Sequence, residues 1–179
     1  YPESMTVINS FTNHQVGSYA GIADIQLAGF LMFGCGKTSL TNNGPFPVTA
    51  TFDYVQNARL NHMPEPTWGV IQAFDEWEGG EYLTQSEVTL SVGQVLAAGV
   101  NGFVVLGTDI TQKTSDADGW SAASSLLNSI QYLEDQGIMR VSSADGTVIN
   151  GYNTSLSLWS ALRSIDELVI VSVNLNCNG

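Results

Sequence analysis

Residues Thr67 to Leu106 read TWGVIQAFDEWEGGEYLTQSEVTLSVGQVLAAGVNGFVVL, and this stretch decides the fold class. It opens on a strand-sized apolar run, Thr67 to Phe74. An acidic loop follows. Thr84-Gln85-Ser86-Glu87 then sets a hydroxyl three residues ahead of a carboxylate, the capping box that satisfies exposed N–H groups at a helix start. An apolar helix runs on from it, and Gly99 stands where a C-terminal cap belongs. Gly102 to Leu106 (GFVVL) is the next strand. A strand, a helix and a second strand in this order make a βαβ unit, in which the helix carries the chain back and the strands run parallel.

The same rhythm extends in both directions. Upstream, Met5 to Phe11 (MTVINSF) is a short β-branched run, and Ile22 to Phe33 (IADIQLAGFLMF) is a nearly continuous apolar run of the kind a strand buried on both faces shows. The segment between them is too short for a full helix. Pro45 and Pro47 mark a loop, Phe52 to Leu60 repeats apolar residues as a helix does, and Pro64 and Pro66 end it. Downstream, Asp116 or Asp118 caps a helix through Trp120, Ala123, Leu127, Ile130 and Leu133 to Gly137. Beyond Gly137 short alternating runs are broken by Ala144-Asp145-Gly146 and Asn150-Gly151 and end in Glu167 to Leu175 (ELVIVSVNL), the pattern of antiparallel β. The expected domains are therefore 1–137, four β/α units, and 138–179, a β-rich extension.

Composition narrows the partners. Seventeen Asp and Glu against five Lys and Arg give a net charge of −12, yet 44% of the 179 residues are hydrophobic, enough to bury a core rather than leave an acidic coil. No Lys or Arg lies between Arg59 and Lys113, so nucleic acid and anionic membrane surfaces are poor partners. No apolar run approaches the roughly 18 residues of a membrane span. Tyr1 is not an initiator and no signal-peptide pattern surrounds it, so the chain is expected to begin inside a longer precursor. Cys35 and Cys177 have no metal-ligand spacing; a bridge between them, or pairing with another segment, is open. Asn153-Thr154-Ser155 is the one glycosylation sequon, in a stretch that reads as exposed loop.

Several motif fragments lack their context. Gly34-Cys35-Gly36-Lys37-Thr38 ends like a phosphate-binding loop, but Leu31 stands where the first Gly is required, and Pro45 and Pro47 leave no room for the long helix. His14 and His62 are the only histidines, outside any HExxH arrangement, and no Gly-x-Ser-x-Gly elbow occurs; no metal or cofactor is expected. Asp116-x-Asp118-Gly119 lacks the later Glu of a calcium loop and suits helix capping better.

The informative segment for chemistry is Thr67 to Val88. Trp68, Val70, Gln72 and Phe74 share one face of the extended strand, so Gln72 is a polar group near the C-terminal end of an apolar strand, where parallel α/β sheets place their sites. Asp75, Glu76, Glu78 and Glu81 follow, interleaved with Trp77 and Tyr82. Aromatic faces cover the apolar C–H surfaces of a sugar, while carboxylates bind hydroxyls or serve as proton donor and nucleophile. The plainer alternative is a solvated acidic loop over a capped helix.

Together with these residues, Asp24-Ile25, the helix Tyr54 to Arg59, Pro66 to Phe74 (PTWGVIQAF), Tyr82-Leu83-Thr84 to Glu87, and Ala97-Ala98-Gly99-Val100-Asn101-Gly102-Phe103 resemble the second half of TIM-barrel glycoside hydrolases and related glycosidase-like proteins. Most of the chain takes part, through short motifs. The resemblance implies the second half of a (β/α)8 barrel followed by a small antiparallel β extension, completed by a segment upstream of Tyr1 or by a partner chain. It implies hydrolysis of glycosidic bonds in a poly- or oligosaccharide outside the cell, with Asp75 or Glu76 as catalytic carboxylate, Gln72 and Asp109 as polar contacts at strand ends, and Trp77 as sugar platform. Glu81 and Leu83 depart from the Arg and Pro of the family pattern, and Gln72 stands where a catalytic Glu is common. These departures favour the alternative, a catalytically inactive barrel that serves as a secreted structural or glycan-binding glycoprotein.

Overall fold

The computed structural model describes residues 4–10, 13–29, 38–39, 42–45, 50–72, 85–106, 149–153, 157–163 and 168–174, together with six positions between 121 and 135. It is a mixed α/β fold built on a parallel four-stranded sheet. The strands are β1 (Val7–Ser10), β2 (Ile25–Ala28), β5 (Thr67–Gln72) and β6 (Gly102–Leu106), and they lie side by side in chain order. Every neighbouring pair is parallel: Val7 stands opposite Ile25, Gln26 opposite Thr67, and Trp68 opposite Gly102. A sheet whose order follows the chain has no reversal point, unlike a doubly wound sheet.

Between the strands run α1 (Asn13–Ser18), α2 (Ala50–His62) and α3 (Gln85–Ala97). The six residues of α1 agree with a first unit too short for a full helix. Thr84 directly precedes α3, as the capping box predicts, and the turn that follows α3 carries Gly99 at φ 80°, whose N–H donates to the Leu96 carbonyl at 2.9 Å. Helix α2 is about one turn longer than the Phe52–Leu60 periodicity predicts. Its first turn is held from outside, because the Phe52 N–H donates to Gln94 Oε1 of α3 at 3.0 Å. Helical backbone occurs also at Ser121, Ser124, Ser125, Asn128, Gln131 and Asp135, within the stretch expected to be a helix.

The alternation of the strands separates two faces. Ala28, Ile71, Phe103 and Val105 point to the helices and join Phe52, Val55, Val92 and Val95 in one core. Val7, Ile25, Val70 and Val104 point to the other side. Among the described residues of the run Ile22 to Phe33, four form a strand, Ile25 to Ala28. Asp24 is drawn instead into bonds with Thr6, and residues 30–37 lie outside the described part. A hairpin of β3 (Thr38–Ser39) and β4 (Asn42–Pro45) sits in the connection from β2 to α2. Thr38 thus begins a strand, not the helix that a phosphate-binding loop needs.

The tail is antiparallel, as its alternation predicts: β7 (Ile149–Asn153), β8 (Ser157–Arg163) and β9 (Leu168–Asn174) form a meander. It packs on α3, and its Leu158 and Val173 belong to the same core as the parallel sheet. Helix α3 therefore lies between the parallel sheet and the meander.

Candidate functional site

The two ends of the parallel sheet are built differently. At the N-terminal ends of the strands the connections are short and tied by side chains. Asp24 Oδ2 accepts both the backbone N–H and the hydroxyl of Thr6 at 2.7 Å, and the Asp24 N–H returns a bond to Thr6 Oγ1 at 3.1 Å, clasping the starts of β1 and β2. The hydroxyl bond, then the backbone bond, from Thr6 holds the Asp24 carboxyl below its usual value. Asn101 Oδ1 accepts the Thr67 N–H at 3.1 Å while the Asn101 N–H donates to the Thr67 carbonyl at 2.9 Å, clasping β5 to β6. His62 Nδ1 accepts the Gly21 N–H at 3.2 Å, clasping α2 to the turn before β2.

At the C-terminal ends only the connection after β1, residues 11–12, is short, and the others are longer. They are 29–49 after β2, 73–84 after β5 and the segment that follows Leu106. Long connections on a sheet whose opposite edge is tied down are where a parallel α/β fold carries its chemistry. Gln72 closes β5, with its Cα opposite Leu106, the last residue of β6. The loops that carry Asp75, Glu76 and Trp77 on one side and Asp109 on the other therefore leave the sheet from neighbouring positions. Those four residues themselves, and Cys35 and Cys177, lie outside the described residues. Asn153 does not start in a loop: it is the last residue of β7, paired with Ser157, and the sequon continues into the connection to β8. Strand β7 reaches this far because Ile149 to Asn153 pair residue by residue with β8.

The structure adds polar residues that the sequence reading did not single out. Ser10, Gln26 and Thr67 are buried on the helix-facing side of the sheet, with Gln26 Nε2 donating to Ser10 Oγ at 2.6 Å. His62, noted in the sequence only for lacking a zinc motif, is fully buried, and burial lowers its basicity although Glu65 acts in the other direction. Burial likewise raises the Tyr54 phenol and lowers the Arg59 guanidinium. The one available signal was their position: a Gln inside an apolar run, and a His at the end of an amphipathic helix.

Among the described residues there is no group of three or more His, Cys, Asp or Glu that could hold a metal, and no helix long and apolar enough to cross a membrane. Compared with known proteins, the chain matches no family model, no curated protein and no solved structure.

Proposed function

We propose that the C-terminal edge of the parallel sheet is a carbohydrate site, and that the sheet is the second half of a (β/α)8 barrel of the glycoside-hydrolase kind. The observation that carries this reading is the strand order: four parallel strands in chain order, with helices on one face and the long connections all at one end. Its corollary is completion by further strands. Among the described residues β1 and β6 have unpaired outer edges, and Met5 and Val7 at the β1 edge are exposed apolar side chains.

In this reading Asp75 or Glu76 is one carboxylate of a catalytic pair, and its partner stands about 5 to 5.5 Å away in a retaining enzyme, supplied by the completing segment or a partner chain. Seven acids and no Lys or Arg lie between Arg59 and Lys113, so crowding of like charge favours one protonated carboxyl, as a general acid requires. Trp77 stacks on a sugar face, and Gln72 and Asp109 bind hydroxyls. The protein acts outside the cell, with glycan on Asn153 and oxidised cysteines. Gln72 at the strand end, where a catalytic Glu is common in such enzymes, favours a second reading in which the barrel binds glycan without cleaving it.

Asp75→Asn and Glu76→Gln, made singly in the complete protein, separate the two. An enzyme loses hydrolysis by about a hundredfold or more in one of them and keeps glycan binding. A binding protein shows no hydrolysis in the parent and weakened binding in the variants. No glycan bound by the parent, or variants that behave like it, removes the site altogether.

A further inference from the structure

The N-terminal edge of the sheet holds a titratable group that carbohydrate chemistry at the opposite edge does not use. His62 closes α2 and is fully buried (0%). An imidazole nitrogen that accepts a hydrogen bond carries no proton, so the bond from Gly21 to Nδ1 places the single ring proton on Nε2. Nε2 has no hydrogen-bond partner among the described residues. Gly21 sits at φ 70° in a turn closed by the Ile22 N–H on the Tyr19 carbonyl at 3.2 Å, and this turn leads directly into the Asp24–Thr6 clasp and β2. The imidazole therefore links the last turn of α2 to the entry of the sheet.

We propose that His62 is an acid-sensitive latch: neutral, it holds the 19–24 turn against the end of α2, and protonated, it releases that turn. The second proton has one place to go, Nδ1, which already faces the Gly21 N–H. Two donors then point at each other, and a cation is left in a buried site. Among the described residues the titratable and charged groups on the turn and the end of α2 are Tyr19 and Asp24, Arg59 one turn back, and Glu65 just beyond it, and α1, which packs on α2, carries His14. Asp24 is engaged by Thr6, and Glu65 is the group that acts on the ring electrostatically; it opposes the effect of burial without reversing it. The sign follows. Burial holds the folded ring below its ordinary 6.5, so the latch is closed above that pH and weakens as pH falls below it. Release frees the N-terminal edge of β1 and β2 while the C-terminal edge keeps its strand pairing.

The test is hydrogen exchange of segment 19–24 in the intact protein at pH 7.5 and 5.5, corrected for the intrinsic pH dependence of exchange, with His62→Asn as comparator. The Asn side chain offers an acceptor oxygen near the place of Nδ1 and does not titrate, and His14 remains in both proteins. The expected result is exchange at Gly21 and Ile22 faster by about tenfold at the lower pH in the parent, and unchanged in His62→Asn. Equal loosening in both proteins, or none in the parent, overturns the latch. Should His62→Asn fail to fold at pH 7.5, nitrogen NMR of the parent decides. An unprotonated Nδ1 whose titration coincides with a shift of the Gly21 amide supports the latch. A proton on Nδ1 at neutral pH, or a titration without effect on Gly21, overturns it.

Discussion

At Gly69 the sheet and α3 come closer than any side chain allows. A Cβ there would overlap Val95 Cγ1 and sit 3.5 Å from Val100 Cγ1, both buried core groups with little room to retreat. Gly69→Ala should lower stability by about 1 to 3 kcal/mol, the usual effect of overpacking, read as a lower denaturation midpoint at unchanged slope. Asp24 gives a second prediction at this scale. Its folded carboxyl is held below the ordinary 3.8 by Thr6, so its stabilisation is present above that value and is lost as pH falls through the lowered one. The difference in unfolding midpoint between the parent and Asp24→Asn should be constant above about pH 5 and shrink below it. A difference that persists unchanged into strong acid would mean the Thr6 bonds do not favour the charged form.

Among the elements, α2 and α3 depend on each other through one side chain. Gln94 is buried in α3, and its Oε1 accepts an N–H in the first turn of α2. Gln94→Ala should strand that N–H and destabilise by about 1 to 3 kcal/mol, seen in faster exchange of the 50–54 amides. The elements themselves were legible to different degrees. Strand β6 coincides with GFVVL, α3 begins directly after Thr84, the first residue of its capping box, and the antiparallel tail follows its period-two runs, because caps and alternation are local chemistry. Strand β2 was not legible in length, since an unbroken apolar run has no period by which to fix its ends. The buried Ser10–Gln26 pair was hidden for another reason: its members are sixteen residues apart, and only the β1–β2 register brings them together. Of the candidate site, the sequence shows the residue types after β5, and the register adds that the loops after β5 and β6 leave side by side. The separation of two carboxylates is set by loop conformation and by strands from elsewhere, which no local pattern encodes.

For the whole molecule, α3 is the shared wall. One side packs on β5 and the other on β8 and β9, where Val173 Cγ2 comes within 3.1 Å of the Cβ position of Gly93. Parallel sheet and antiparallel meander should therefore unfold together. Val173→Ala, which removes buried methyl groups, should lower one common transition by about 1 to 3 kcal/mol; two separate transitions would show that the meander is an independent unit. The molecule is also polarised, with the N-terminal strand ends clasped by Asp24, His62 and Asn101 and the C-terminal ends of β2, β5 and β6 left to longer connections. That polarity supports the position proposed for the carbohydrate site. It is tested most directly by hydrogen exchange of the intact protein with and without a panel of soluble oligosaccharides. Ligand-dependent protection is expected in 73–84 and in the segment after Leu106, with none in 19–24, 63–66 or 98–101; protection at those N-terminal connections, or no protection by any oligosaccharide, would overturn the assignment of the site.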